Sequence, residues 1–424
     1  MHDAGSRRTF CCKRRKIVAD AKINRMKQLR DSPPDADVNS EDSGKQPDLI
    51  THISELRRYL PALPPERMRT MEAVSERYQF RLPRFYLEHI LRNDPNDPLW
   101  DLVLPGEQEL VATDEERWDA FQLQTKAVEH PRWIQKYRYE ALIRTTDYCS
   151  GLCRYCYLKH REVTAGAISH GDIDAMFDQL TQSPHSVMLR ELILSGGDPL
   201  AIAASLLEHF ADRLAHLNRS RTHAITVSIH TREPVWYPQR LLRSKPLQAA
   251  LGKLGPSSHI LHVVHPREVT RELLSCIELL HDLGTIRKPI IMTQHPLFRG
   301  INDDPAVITE MYSRLDSGRV PVKPYYLIHP FPDGTLARHR LKLPESQMIL
   351  RALASAPGTR VPLLTVPTPM GKCVIGPYET LQDRGGYYLL HTKDGIPVHY
   401  STGEHYNPSE ARANIPAVQL PIYN

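Results

Sequence analysis

Three cysteines, Cys149, Cys153 and Cys156, share one short segment, TTDYCSGLCRYCYLKHR, in a Cys-x3-Cys-x2-Cys spacing. Three thiolates on one loop can wrap three corners of a cubane [4Fe–4S] cluster and leave the fourth iron open. An open iron can chelate the amino and carboxylate groups of S-adenosylmethionine (SAM), and electron transfer through it breaks the sulfonium to give a carbon radical. A structural zinc site is the competing reading, but it wants four ligands with paired spacing. Cys11, Cys12, Cys276 and Cys373 are scattered, which leaves His160 as a fourth zinc ligand. Farther along, Ser195-Gly196-Gly197-Asp198-Pro199 places two glycines where backbone can approach a ligand closely. Ser195, Gly196, Gly197 and Asp198 are therefore candidates for holding the SAM amino group, and Asp198 is also suited to capping the next helix.

Such chemistry needs a rigid frame. From residue 141 onward, short β-rich runs alternate with amphipathic helical stretches. The runs are 141–147, 191–197, 224–231, 259–265, 289–295 and 322–329, and helices are expected near 171–182, 200–217, 239–253, 270–284, 304–316 and 344–354. Six βα units in a row predict an α/β fold whose parallel sheet curves into a partial (β/α)6 barrel. A seventh run, 360–369, extends its edge, and GYYLLHTKDGIPVHYS reads as a β-hairpin around Asp394-Gly395. The cysteines and the glycine pair then fall at the C-terminal ends of the first two strands, where barrels gather their chemistry. The predicted organisation is a disordered basic tail and linker (1–48), a helical extension (49–130), the barrel (131–356) and a C-terminal segment with the hairpin (357–424).

Composition narrows the class. The formal net charge is +5, but ten Lys/Arg against two Asp/Glu in residues 1–30 give that stretch +8, so the remainder carries −3. The basic character is local, which argues against a nucleic-acid-binding face. No apolar run reaches the roughly 20 residues that span a bilayer. An odd total of 7 cysteines, three of them clustered, speaks against a disulfide scaffold and for a reducing, cytoplasmic setting.

The chain resembles the lysine 2,3-aminomutase family of radical SAM enzymes. The resemblance rests on NDPNDP (93–98), TDYCSGLCRYC (146–156), LSGGDPL (194–200), REPVWYPQR (232–240), HPREVT (265–270), QHPLFRGIND (294–303), KPYY (323–326) and PTPMGKCVIGPY (367–378). It implies the cluster, SAM and pyridoxal 5′-phosphate (PLP), an amino-acid substrate and an external electron donor such as a flavodoxin or ferredoxin. It also implies that a 5′-deoxyadenosyl radical takes a hydrogen beside the amine-bearing carbon, after which nitrogen migrates. Lys372, which alone reads as a surface lysine, occupies the position of the family's PLP lysine. Gln294, Tyr137 and Lys136 align with positions that hold PLP. Lys136 replaces an arginine and loses its bidentate fork, and Glu140 replaces a second arginine.

Other departures concern the substrate. Phe331 and Thr365 stand where lysine-specific members hold the distal amine with two aspartates, and Leu158 stands where they hold the carboxylate with an arginine. A buried unpaired ammonium is costly, so free lysine is not the expected substrate. Arg144, on the first strand, is a candidate for the missing carboxylate anchor or for the PLP phosphate; an outward-facing Arg144 paired with a helix carboxylate is the alternative. The family's structural zinc cysteines are absent, and Asp304 follows RGIND in place of one, so a homo-oligomer must form without that zinc. The expected function is a PLP-dependent radical SAM aminomutase. A radical SAM epimerase, deaminase or lyase without PLP stays open, as does a noncatalytic iron–sulfur or zinc regulatory protein.

Overall fold

The computed structural model describes residues 48–111, 128–160, 166–284, 287–330, 334–356, 361–368 and 370–401. The tail and linker expected over 1–48 lie outside this set apart from Asp48. Within it, the βα alternation takes the predicted form. Strands β4 (Glu140–Thr146), β5 (Glu191–Gly196), β6 (Thr226–Thr231), β7 (Ser258–His262), β8 (Ile290–Pro296), β9 (Lys323–Ile328) and β10 (Leu363–Thr368) pair in parallel in that order. The sheet is a curled, open half-barrel. Two short antiparallel strands that the periodicity does not reveal close its edges. These are β3 (Trp133–Ile134) beside β4 and β11 (Gly371–Ile375) beside β10.

Helices cover the outer face of the sheet, beginning with α6 (His170–Gln182) after β4, and a short α8 (Glu233–Trp236) follows β6. Helix α7 (Ala204–Arg219) buries Leu206, Leu207, Phe210, Ala211, Leu214 and Leu217, a stripe of helical period. Helix α11 (Arg271–Asp282) does the same with Leu273, Cys276, Ile277 and Leu280, and Thr270 caps it by accepting from the Leu273 N–H. Asp304 caps α12 (Pro305–Asp316) in the same way. The helix expected over 239–253 is two, α9 (Pro238–Arg243) and α10 (Lys245–Leu254), because Ser244 starts a new cap between them. Strands buried on both faces read as apolar runs, with Leu192 and Leu194 pointing to the helices and Glu191 and Ile193 to the lumen.

The extension before the barrel pairs β1 (Leu49–Ile50) with β2 (Leu82–Pro83) and is otherwise a string of short helices: α1 (Ile53–Leu56), α2 (Pro65–Arg77), α3 (Arg84–His89), α4 (Trp100–Val103) and α5 (Gln108–Val111). The hairpin is formed by β12 (Tyr387–His391) and β13 (Pro397–Ser401), and a bridge between Thr392 and Cys373 sets it against β11. Among the described residues, no helix is long and apolar enough to cross a membrane.

Candidate active site

The loop after β4 carries Cys149, Cys153 and Cys156, all with free thiols. The helical extension holds this loop through its backbone. Arg81 donates to the Cys149 carbonyl (2.8 Å), Leu152 N–H donates to the Arg81 carbonyl (3.0 Å), and Arg154 N–H donates to the Leu102 carbonyl (2.8 Å). The Arg154 guanidinium reaches the Gln79 carbonyl at 2.8 Å and pairs with both oxygens of Glu109. Lys159 adds a third contact to Glu109, Nζ to Oε2 at 3.2 Å. Burial pushes the Glu109 carboxyl up, but Arg154 and Lys159 outweigh it and hold it below the ordinary carboxylate range. Lys159 is thus a strut of the cluster loop. At Gly151, any Cβ would meet the Trp236 ring at 2.5 Å.

Burial raises all three thiols, Cys156 to about 12. A bound metal reverses that trend by deprotonating its thiol ligands outright. Among the described residues, no three His, Cys, Asp or Glu side chains converge on one point. The donor set, three thiols on one loop, suits the cluster.

The glycine pair at the end of β5 is needed for chain-to-chain contact. A Cβ on Gly196 would lie 2.6 Å from the Arg144 Cγ, and one on Gly197 would overlap the Tyr148 carbonyl. Gly197 N–H donates to the Thr146 carbonyl (2.6 Å) and Asp198 N–H to the Tyr148 carbonyl (2.8 Å). The Ser195 carbonyl accepts from the Thr145 hydroxyl. Asp198 corrects the cofactor-contact expectation. Its carboxylate accepts from Thr231 Oγ1 (2.6 Å), Leu200 N–H (3.0 Å), Arg232 N–H (2.7 Å) and Glu233 N–H (2.9 Å), which fills its acceptor sites. Asp198 therefore ties β5 to the turn after β6, and the capping reading is the one observed.

Arg144 sits on the lumen side of β4, the face it shares with Glu140, and is 9% exposed. Its Nε lies 3.4 Å from Asp147 Oδ1. The outward-facing alternative is not what the structure shows.

On the opposite wall, β11 presents Lys372. Its backbone N–H donates to the Tyr137 hydroxyl at 2.6 Å, and its Nζ stands 4.3 Å from the centre of the Tyr326 ring. Burial first, then the Lys393 ammonium, push the Lys372 amine down to about 8, with Glu140 opposing. Deeper in the lumen, Gln294 Nε2 contacts His262 Nε2 at 2.6 Å and His230 Nδ1 at 3.4 Å, while its Oε1 has no hydrogen-bond partner. Burial keeps both histidines neutral, His262 pushed down to about 3. A cavity of about 470 Å³ runs along this wall, lined by Glu140, Glu191, His230, Ile260, Tyr326 and Lys372 among others.

The radical SAM superfamily matches this chain over residues 143–310. A putative L-lysine 2,3-aminomutase of Aquifex aeolicus is 28% identical over 367 residues, spanning 85% of this chain and 94% of that protein. The L-lysine 2,3-aminomutase of Clostridium subterminale is 29% identical over 397 residues, spanning 91% of this chain and 89% of that protein. These similarities, with the radical SAM match, support membership of the lysine 2,3-aminomutase family. The similarity implies a [4Fe–4S] cluster, SAM and PLP, with a small-molecule substrate and an external electron donor.

The PLP fit can be judged from the family's own positions. Lys372, Tyr137 and Gln294 all face one lumen, and Ile193, Ile260 and Met292 provide apolar walls for a ring. Lys136 lies close enough to lower the Lys372 amine further. Glu140 is in that wall too, but it is neutralised by Lys393, whose Nζ lies 3.0 Å from Oε1. These residues fit PLP. Phe331 lies outside the described residues; Thr365 is buried, and its hydroxyl has no partner. Leu158 is half-buried beside the cluster loop.

Sequence reasoning missed Lys393, Glu191 and His230, the neighbour of His262 across Gln294. Each is ordinary in its own segment, and only strand register brings them to one cavity. The alternation of β6 and β7, with His230 and His262 in phase with lumen positions, was the available signal.

Proposed function

We propose that the protein is a radical SAM aminomutase that binds PLP through Lys372 and moves an amino group between adjacent carbons of an amino acid other than free lysine. The observation that carries this reading is Lys372, a desolvated amine facing the lumen of the barrel that bears the cysteine loop. A lysine must be neutral to attack an aldehyde, and a lowered pKa supplies that form near neutral pH. When bound, the cluster and SAM supply hydrogen-abstracting radical chemistry, and PLP supplies a conjugated ring that can spread unpaired spin.

The chain's own groups orient and shield. Lys372 is the residue that would hold the PLP aldehyde, with its amine over the Tyr326 ring. Gln294 and the neutral His230 and His262 offer hydrogen bonds without charge inside the lumen. Arg144, inward and only loosely paired, is positioned to take the substrate carboxylate that Leu158 cannot hold. Thr365 offers a hydroxyl where an ammonium would need a carboxylate, which disfavours lysine. Sealing such a site from water protects reactive intermediates.

The carboxylates Glu140 and Glu191 in the PLP wall favour one competing reading, a radical SAM enzyme of another reaction type that works without PLP. The direct test is anaerobic incubation of the reconstituted protein with PLP, SAM, dithionite and a panel of amino acids including lysine. The expected result is a β-amino product from an acid other than lysine. Efficient turnover of lysine, or SAM cleavage with no amine shift from any acid, would overturn the proposal.

A further inference from the structure

The exchange of an arginine for Glu140 leaves the PLP wall short of a cation, and the C-terminal hairpin brings one to the same spot. Lys393 lies in the turn between β12 and β13, 253 positions away from Glu140. Its Nζ is 3.0 Å from Glu140 Oε1 and 3.4 Å from Oε2. The same Nζ stands 5.1 Å from the Tyr137 ring centre and 5.8 Å from that of Tyr326. Lys372 stands over Tyr326 as well, so one aromatic ring carries both lysine side chains.

The placement is fixed by backbone. Lys393 N–H donates to the Lys372 carbonyl at 3.1 Å, and Thr392 bridges to Cys373. The turn itself is pinned by Gly395 N–H and Ile396 N–H, which donate to the carbonyl and hydroxyl of Thr392 at 2.8 and 3.1 Å. The two lysines are therefore locked in register across the β11–hairpin contact.

We infer that Lys393 is a relocated phosphate anchor: it meets the PLP phosphate when Lys372 holds the aldehyde, and Glu140 holds it in place when the phosphate is absent. This rests on the PLP reading above and names the residue that completes it. PLP carries its aldehyde and its phosphate arm on neighbouring ring carbons, so a lysine that takes the aldehyde needs a cation close by. A phosphate monoester carries about −1.5 to −2 charges at pH 7 against −1 for a carboxylate, and so competes well for a shared ammonium. An ammonium has three donors on a flexible stem, which lets it turn from one anion to the other without moving the backbone. Lys393 acts on the cofactor's phosphate only; Lys372 keeps the aldehyde.

The test titrates PLP and pyridoxal, which lacks the phosphate, into the full-length, cluster-reconstituted protein freed of PLP, at a pH well above the Lys372 midpoint so that this amine is neutral in every variant, read by absorbance of the bound chromophore. Lys393→Met is expected to weaken PLP at least tenfold while pyridoxal affinity stays within about twofold. Lys393→Arg is expected to keep most of the PLP affinity, and Glu140→Gln to tighten PLP and not pyridoxal. Equal weakening of both aldehydes by Lys393→Met would make Lys393 a structural clamp and overturn the inference, as would no change in either. If Lys393→Met does not fold, Glu140→Gln decides alone: weaker or unchanged PLP binding overturns it. A wild-type protein that takes up neither aldehyde sinks the PLP reading itself, an outcome distinct from wild-type binding that is insensitive to position 393.

Discussion

Replacing Glu109 with alanine is expected to unseat the cluster loop from a distance. Glu109 lies in α5, outside the barrel, and its side chain is 4% exposed. It accepts from Arg154 at 3.0 and 2.5 Å and from Lys159 at 3.2 Å, and both of these cations belong to the cysteine segment. The substitution removes the carboxylate shared by the Arg154 guanidinium, 5% exposed, and the Lys159 ammonium, 10% exposed. Breaking a buried pair from one side costs about 3–5 kcal/mol. That is a large part of the roughly 5–15 kcal/mol that holds a typical domain together. The loss falls on the segment between Cys153 and Cys156, so the loop opens before the barrel does. The assay is iron content and the low-temperature electron paramagnetic resonance signal after anaerobic reconstitution, alongside a thermal melt. A lower melting temperature with poorly retained iron is expected. Because Glu109 is held below the ordinary carboxylate range, its contribution is present at neutral pH and is lost as pH falls through its folded-state pKa. A Glu109→Ala protein that melts like wild type and keeps its cluster would refute the idea that the helical extension positions the loop.

Capture of PLP by Lys372 should rise with pH and level off above about 8, because neutral amine is the reactive form. Lys393→Met removes a like charge and should move that midpoint up; Glu140→Gln removes an opposite charge and should move it down, both read by stopped-flow absorbance across pH. Gly197→Ala forces a Cβ into the Tyr148 carbonyl, a backbone atom that cannot swing aside. A cost of roughly 1–3 kcal/mol is expected, with impaired SAM cleavage and a normal far-ultraviolet spectrum. Loss of the barrel's secondary structure instead would mean that Gly197 serves the whole fold.

The frame of the site was readable in the sequence because each parallel strand is a short apolar run bounded by turn residues and followed by a helical stripe. The cysteine loop was readable from spacing, and Lys372 from the motif around it. The rest depends on contacts that no local pattern carries. Strands β3 and β11 are too short, or too close to a proline-rich turn, to show a period of two. The struts of the cluster loop join Gln79, Arg81, Leu102 and Glu109 to residues 149–159, and each strut is unremarkable in its own segment. Asp198 looked like a ligand because a carboxylate beside two glycines suits both roles; its four protein donors decide for the cap. Glu140 looked like the bare loss of a cation because its ion-pair partner, Lys393, comes from the far end of the chain.

Borohydride reduction of the anaerobically reconstituted protein with PLP, followed by peptide mass spectrometry, tests the central claim most directly. The account predicts a pyridoxyl group on the peptide containing Lys372 and none in the Lys372→Ala protein. No adduct on Lys372, with SAM cleavage intact, would contradict it and leave a radical SAM enzyme that works without PLP.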